Sequence, residues 1–289
     1  MAKNQPDVTV VIPAKNESRT LPDLLTSLRS QFPRFRILVV DDGSTDDTAT
    51  VCRQHKAEVI SMPYSVGNGG AVKAGVRQVQ SDFLVLMDAD GQHAPSDIPS
   101  LLDRLDRGYD MAIGARRWKS HANFGRAIAN SVYNWLARWM VGQTVPDLTS
   151  GFRAVSTAKF KEFLYLLPNG FSYPTTITMA FFRAGYSIAF VPIHAAQRVT
   201  ASHIHPLKDG VRFLLIIFRV GTLYSPLKIF FPLSLAFFGL GTGYYIYSFI
   251  TVHRFTNMSA LLLITAILIF LIGLVSEQIT NLLFTRRKD

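Results

Sequence analysis

Two aspartates, one residue apart, close the apolar run of LVLMDADGQH, residues 84–93. If that run is a strand reaching this far, alternation places Asp88 and Asp90 on the same side. Neighbouring carboxylates repel and are kept together by a compensating cation or a raised pKa. A hard divalent ion such as Mg²⁺ or Mn²⁺ takes oxygen ligands and shares its shell with phosphates. Asp88, Asp90 and the Gln92 amide oxygen would form part of such a shell, and a diphosphate would complete it. The competing reading is a turn capping the helix after APSDIPSLL. Ser96 or Asp97 can do that capping, which leaves Asp88 and Asp90 unexplained.

Similar chemistry recurs upstream in VVDDGSTDDT, residues 39–48. Asp41 and Asp42 stand at a strand end, where Asp42 is the better contact for a nucleoside's base or ribose. Asp46 and Asp47 fall in a helix's first turn, where negative charge suits the dipole. SVGNGGAVKAG (65–75) enters a helix through three glycines. It lacks Walker spacing, so a ligand cradle and a structural turn stand as equal alternatives.

Arginines then gather in AIGARRW, DLTSGFRAVS and AQRVTASHIH. Guanidinium groups suit phosphate. From Phe163 to Lys208 there is no Asp or Glu. A neutral hydroxyl acceptor wants a general base. A phosphate oxygen is already anionic near neutral pH and wants cationic positioning instead.

These groups need a frame. The sequence predicts strands at VTVVIPA (8–14), RILVVDDGS (36–44), AEVISMP (57–63) and DFLVLMDAD (82–90), alternating with helices at 19–31, after Ser44 and at 69–80. Leu21, Leu24, Leu25 and Leu28 share one helical face. Alternation of this kind implies an α/β fold with a largely parallel sheet, whose ligands bind outside the carboxyl ends of the strands. Asn16-Glu17, Asp41-Asp42 and Asp88/Asp90 all lie at those ends.

Beyond about residue 205 the chain changes character. Hydrophobic residues make up 48% of the whole and charged ones 17%, rich for a soluble enzyme. Residues 206–228 mix apolar side chains with Lys208, Arg212 and Arg219 and read as an amphipathic interfacial helix. Residues 229–252 carry no charge, and 258–284 form a second apolar run; each is long enough to span hydrocarbon. The net charge of +10, concentrated late, suits an anionic membrane surface. Without a nucleic-acid motif, nucleic acid is not an expected partner. Cys52 is the single cysteine, which excludes an internal disulfide or a cysteine zinc cluster. No signal peptide is seen at the start, and TRRKD follows the second span, so the N-terminal domain and the C-terminus are both expected in the cytoplasm.

VVIPAKNES, VVDDGSTDDT, MDADGQH, DLTSGFR and RVTASHI, in this order, resemble the family-2 glycosyltransferases of the GT-A fold. Within them the chain is most similar to the dolichyl-phosphate mannose synthase-like, polyprenyl-phosphate glycosyltransferases. The resemblance implies a GT-A catalytic domain over 1–205, the interfacial region 206–228, and a transmembrane hairpin of 229–252 and 258–284 in a bacterial inner membrane. It implies inverting transfer of one sugar from a nucleotide sugar, of GDP-mannose or UDP-hexose type, to polyprenyl phosphate with Mg²⁺ or Mn²⁺. By motif, Pro13, Ala14, Glu17, Asp42 and Asp88 would line the nucleotide site, and Asp88, Asp90 and Gln92 the metal. Arg116, Ser150, Arg153, Arg198 and His203 would hold the acceptor phosphate, with Asp90 and the three arginines as the catalytic set. Asn68 and His203 stand where relatives often have lysine, and Asp147 is expected to orient rather than abstract a proton. Two other classes make different demands. A processive polysaccharide synthase would carry Q-x-x-R-W, whereas Arg138-Trp139 lacks the glutamine; a nucleotide-sugar sensor would not need the carboxylates. The hairpin leaves open a homo-oligomer.

Overall fold

The structure, a computed structural model, describes residues 7–116, 135, 138–140, 142, 144–170, 173–193, 218 and 221–285. It divides into two compact units, Met1–Pro206 and Leu207–Asp289.

The first unit is built on a seven-stranded sheet: β1 (Val8–Ala14), β2 (Arg36–Asp41), β3 (Glu58–Ser61), β4 (Phe83–Leu86), β5 (Met111–Arg116), β6 (Arg153–Ser156) and β7 (Ile188–Ile193). Their order is β3-β2-β1-β4-β6-β5-β7. Every pairing is parallel except those of β6, which runs antiparallel to both β4 and β5. The chain steps from β1 to β2 on one side and returns to β4 on the other, so the ligand crevice of an open sheet falls between β1 and β4.

The helices of this unit are α1 (Leu21–Gln31), α2 (Thr48–Gln54), α3 (Asn68–Arg77), α4 (Ile98–Asp106), α5 (Thr157–Lys161) and α6 (Tyr173–Arg183). Alternate strand residues serve opposite faces. Val10, Ile12, Val39 and Val85 join Leu21, Leu24, Leu25 and Leu28 of α1 and Ile98, Leu101 and Leu105 of α4 in one core. The opposite face receives α3, where Gly75 lets the helix come so close that an added Cβ would lie 2.6 Å from Val11 and 2.8 Å from Val40. Both faces are therefore covered, which is why these strands read as continuous apolar runs.

β4 ends at Leu86, earlier than the run to Asp90 expected from sequence. The chain turns through Asp88–Gly91, with Gly91 at φ +73°. A turn, rather than strand alternation, thus places the two aspartates. The α4 start also departs from expectation: Asp97 is its N-cap, and neither Asp97 nor Ser96 makes a side-chain cap bond.

The second unit contains α7 (Pro226–Val252) and α8 (Asn257–Thr285), joined through His253 in the left-handed region at φ +53°. Both are long and apolar enough to cross a membrane. Their outward apolar residues, among them Leu235, Phe238, Ile246, Leu261 and Leu268, are exposed. Glycine permits close contact between the two: a Cβ on Gly273 would lie 2.7 Å from Phe230 Cβ. The Leu227 amide of α7 donates to Glu277 Oε2 of α8 at 3.3 Å, and Thr280 Oγ1 donates to the Thr222 carbonyl at 3.2 Å. These bonds tie the open end of the hairpin, where a helix start leaves amides without intrahelical partners. The interfacial helix read over 206–228 lies mostly outside the described residues.

Candidate active site

The carboxyl ends of β1, β2, β4 and β5 and the amino end of β6 share one edge of the sheet, because Leu86 and Ile113 both pair with Arg153. At the β1 end, Pro13 and Ala14 are buried in the strand, and the Ala14 carbonyl accepts from the Asp42 amide at 2.9 Å. Asn16, at φ +56°, accepts the Thr45 amide on Oδ1 at 2.8 Å. Glu17 Oε2 accepts from Thr20 Oγ1 at 2.9 Å. Asp41 Oδ1 accepts the Ser44 amide at 2.9 Å.

Asp42 is buried, and its carboxylate is occupied within the chain. Oδ1 accepts the Val66 amide at 2.7 Å; Oδ2 accepts Ser65 Oγ at 2.7 Å and the Gly67 amide at 2.9 Å. Lys15 Nζ donates to the same Ser65 Oγ at 2.9 Å. Three of about four acceptor positions on the carboxylate thus hold the loop between β3 and α3. The aspartate is legible in the sequence; its partners, from another loop, are not.

The glycines at the start of α3 serve backbone contact. An added Cβ on Gly69 would lie 2.0 Å from the Pro168 carbonyl, and the Gly70 amide donates to the Asn169 carbonyl at 2.8 Å. Lys73 Nζ reaches the Leu167 carbonyl at 3.1 Å and Asn169 Oδ1. Between the two readings of this stretch, the structural one accounts for these contacts. Asp46, just before α2, accepts the Thr48 amide at 3.1 Å and the Ser18 amide at 3.2 Å. Desolvation opposes its charge, but bonds from Thr48 and Ser18 outweigh it and lower its pKa to about 2.

The DADGQH turn lies at the end of β4. Asp90 is buried and its Oδ1 accepts the Gln92 amide at 3.2 Å. Asp88 packs directly on Gly151, where an added Cβ would lie 2.5 Å from Asp88 Oδ2. His93 had no role assigned from sequence. It is buried, stacked on Phe152 with ring centroids 5.0 Å apart, and its Nε2 lies 3.9 Å from Asp88 Oδ2. Burial lowers its pKa to about 4, against the opposing pull of Asp90 and with the help of Arg116. The ring is therefore neutral at pH 7.

Arg116 ends β5. Its Nε donates to Asp147 Oδ2 at 2.7 Å and its Nη2 to Asp147 Oδ1 at 3.1 Å and to Thr149 Oγ1 at 2.7 Å. Burial works against the guanidinium charge, yet the Asp147 bonds and charge, with Asp88 and Asp90 adding to them, raise its pKa. Asp147 is lowered on balance: burial opposes its charge and Arg116 and Thr149 more than offset that. The cation is thereby oriented beside the two turn aspartates.

Arg153, expected at the acceptor phosphate, is fully buried at 0% exposure. Its Nη1 donates to the Pro174 carbonyl and Thr178 Oγ1, each at 3.2 Å, and its Nη2 to the Ser150 carbonyl. A guanidinium so enclosed ties the Ser150 segment to α6. Burial pulls its pKa down, while Tyr173, Asp88 and Asp147 act in the opposite sense. Ser150 is buried, and its Oγ makes no hydrogen bond among the described residues. Arg198 and His203 lie outside the described residues.

Among the described residues, no three of His, Cys, Asp and Glu converge as a metal cluster. The donor chemistry still fits a hard ion shared with a diphosphate. Asp88 and Asp90 are oxygen donors on one turn, and the missing Cβ of Gly151 is what lets the Asp88 carboxylate take its place there.

A family model described as glycosyl transferase family 2 matches residues 9–164, and one described as the GtrB C-terminal hairpin matches residues 225–282. The chain is 33% identical over 205 residues to the undecaprenyl-phosphate mannosyltransferase of Micrococcus luteus, covering 66% of this chain and 84% of that one. It is 31% identical over 209 residues to the polyprenol monophosphomannose synthase of Mycolicibacterium smegmatis, covering 65% and 77%. Among solved structures, glucosyl-3-phosphoglycerate synthase from Mycobacterium tuberculosis, in complex with Mn²⁺, UDP and glucosyl-3-phosphoglycerate, superposes with a TM-score of 0.59 at 25% identity over 75% of this chain and 79% of that one.

Proposed function

Because the chain belongs to glycosyl transferase family 2, we propose that this glycosyltransferase moves a single sugar from a nucleotide sugar to polyprenyl phosphate. The observation that carries the reading is the meeting of the Asp88/Asp90 turn with an Asp147-oriented Arg116 at the sheet's switch edge. Carboxylates beside a fixed cation suit a departing diphosphate. The names of the two mannosyl-transferring relatives and the apolar hairpin favour a lipid phosphate acceptor.

In this reading, a lipid phosphate oxygen attacks the anomeric carbon opposite the nucleotide. The new carbon–oxygen bond forms as the bond to the diphosphate breaks, and the electron pair leaves with the nucleoside diphosphate. Configuration at the anomeric carbon inverts. Asp88, Asp90 and the Gln92 amide would hold a Mg²⁺ or Mn²⁺ ion, whose Lewis acidity stabilises the leaving diphosphate. Arg116 offers N–H donors to the developing charge, and Asp147 keeps them aimed. The β1 and β2 ends, with the loop that Asp42 secures, shape the nucleotide side. Arg198 and His203 complete the acceptor side in this reading, and no side chain needs to remove a proton. The hairpin anchors the chain in the membrane, with the first unit and the C-terminus on the cytoplasmic side.

Membranes carrying the chain, incubated with undecaprenyl phosphate and labelled GDP-mannose, UDP-glucose or UDP-N-acetylglucosamine, should pass label from one donor into the organic phase. Asp90→Ala should lower that transfer by at least about 100-fold, the scale of several kcal/mol of lost charge stabilisation. Absence of lipid label from a panel of nucleotide sugars would overturn the acceptor assignment, and undiminished turnover of Asp90→Ala the metal assignment.

A further inference from the structure

We propose that His93 is a positioning residue for the donor site: its Nε2–H steers the Asp88 carboxylate into the geometry that a divalent ion and diphosphate require. The inference rests on the metal reading of Asp88 and Asp90. The imidazole is held by stacking on Phe152, whose own side chain is fully buried, so the ring cannot wander. One nitrogen, Nε2, lies 3.9 Å from Asp88 Oδ2, a separation that a small rotation of the carboxylate closes. A carboxylate accepts only, so the ring nitrogen that faces it has to present Nε2–H.

The other nitrogen strengthens the case. Nδ1 is buried and makes no hydrogen bond among the described residues. A phenylalanine would fill the same stacked pocket and leave no polar atom without a partner. Packing alone therefore does not account for an imidazole here; a contact to Asp88 does. Gly151 presses on Asp88 from the β6 side. The carboxylate thus sits between a backbone that limits its position and a donor that sets its direction.

Mn²⁺ binding to the detergent-solubilised full chain, followed by electron paramagnetic resonance with UDP and with GDP, tests this without turnover. His93→Phe keeps the stacked ring and removes the donor. It should weaken Mn²⁺ binding about 10-fold or more, the scale seen when a partner of a metal-ligating carboxylate is lost. His93→Gln keeps an N–H donor and should stay within about 3-fold of wild type, well short of that loss. In an Asp88→Asn background, His93→Phe should have no further effect. Wild-type affinity in His93→Phe, an equal loss in His93→Gln, or additive losses with Asp88→Asn would each overturn the proposal. A wild-type chain that binds no Mn²⁺ overturns the metal reading and this one together, which separates the two failures.

Discussion

Asp147 grips Arg116 through two oxygens at once, so the guanidinium that ends β5 has one orientation and not merely one location. A planar fork held on one edge leaves its other N–H groups aimed, which a lysine cannot imitate. Asp147→Asn removes one accepting oxygen from a charged pair, costing about 1.5–3 kcal/mol, or about 10- to 100-fold in kcat/KM. Arg116→Lys should fall at least as far. Transfer assays across a range of acceptor concentrations check this; wild-type kcat/KM in Asp147→Asn would refute the orienting role.

Acid should unfold the first unit in a defined window. Asp46, with its pKa at about 2, and Asp110 and Asp147 are all lowered in the folded state. For Asp110, burial opposes the charge, and bonds from Lys159 and Ser187 outweigh it. A depressed carboxylate stabilises the fold above its unfolded value, near 3.9, and that contribution is lost as pH falls through the folded value. Stability should thus hold between about pH 7 and 5 and decline steadily from about pH 4 towards 2. Denaturant unfolding at several pH values measures the slope, which Asp147→Asn should reduce.

Asp42 offers a separate test. In Asp42→Asn, an amide nitrogen must face at least one of the donors from Ser65, Val66 and Gly67. A buried donor left without an acceptor costs about 1–3 kcal/mol. Stability should drop by that amount, and UDP and GDP should both bind more weakly as the loop loosens. Calorimetric titration beside urea unfolding reads both; an unchanged loop and affinity would contradict the assignment.

Gly69→Ala inverts a familiar expectation. Alanine normally favours a helix over glycine by about 1 kcal/mol. Here its methyl would lie 2.0 Å from the Pro168 carbonyl, and relieving such a contact costs about 1–3 kcal/mol. The melting temperature should fall by about 2–4 °C for each net kcal/mol. Gly170→Ala, whose methyl meets nothing within 4 Å, is the control.

Local patterns made much of this fold legible. β1 occupies residues 8–14 as its apolar run predicts, and α1 buries the four leucines whose spacing marked its inner face. The two apolar helices were equally plain. What was hidden depends on distant pairing. β4 stops at Leu86 against a strand whose register begins at Arg153, and nothing in LVLMDADGQH announces that partner. Asp42 reads as a ligand contact because its amide donors come from another loop. The enclosure of Arg153 is not legible because α6, which supplies its partners, lies further along the chain. His93 was visible as an imidazole, but its burial depends on Phe152 from another segment. Residue type was readable from the sequence, whereas enclosure was not.

The reversed strand β6 has a consequence for how the rim is built. β5 leaves the sheet at Arg116 and β6 enters at Arg153, while Ile113 and Arg153 are register partners. Both ends of the intervening segment are therefore anchored at the same rim. The last residues before β6 are held at that rim by side chains from other segments: Asp147 by Arg116, Gly151 against Asp88, and Phe152 against His93. A strand that runs against its neighbours thus returns the chain to the rim it left, so the β5 end and the approach to β6 are clasped together like the two sides of a buckle.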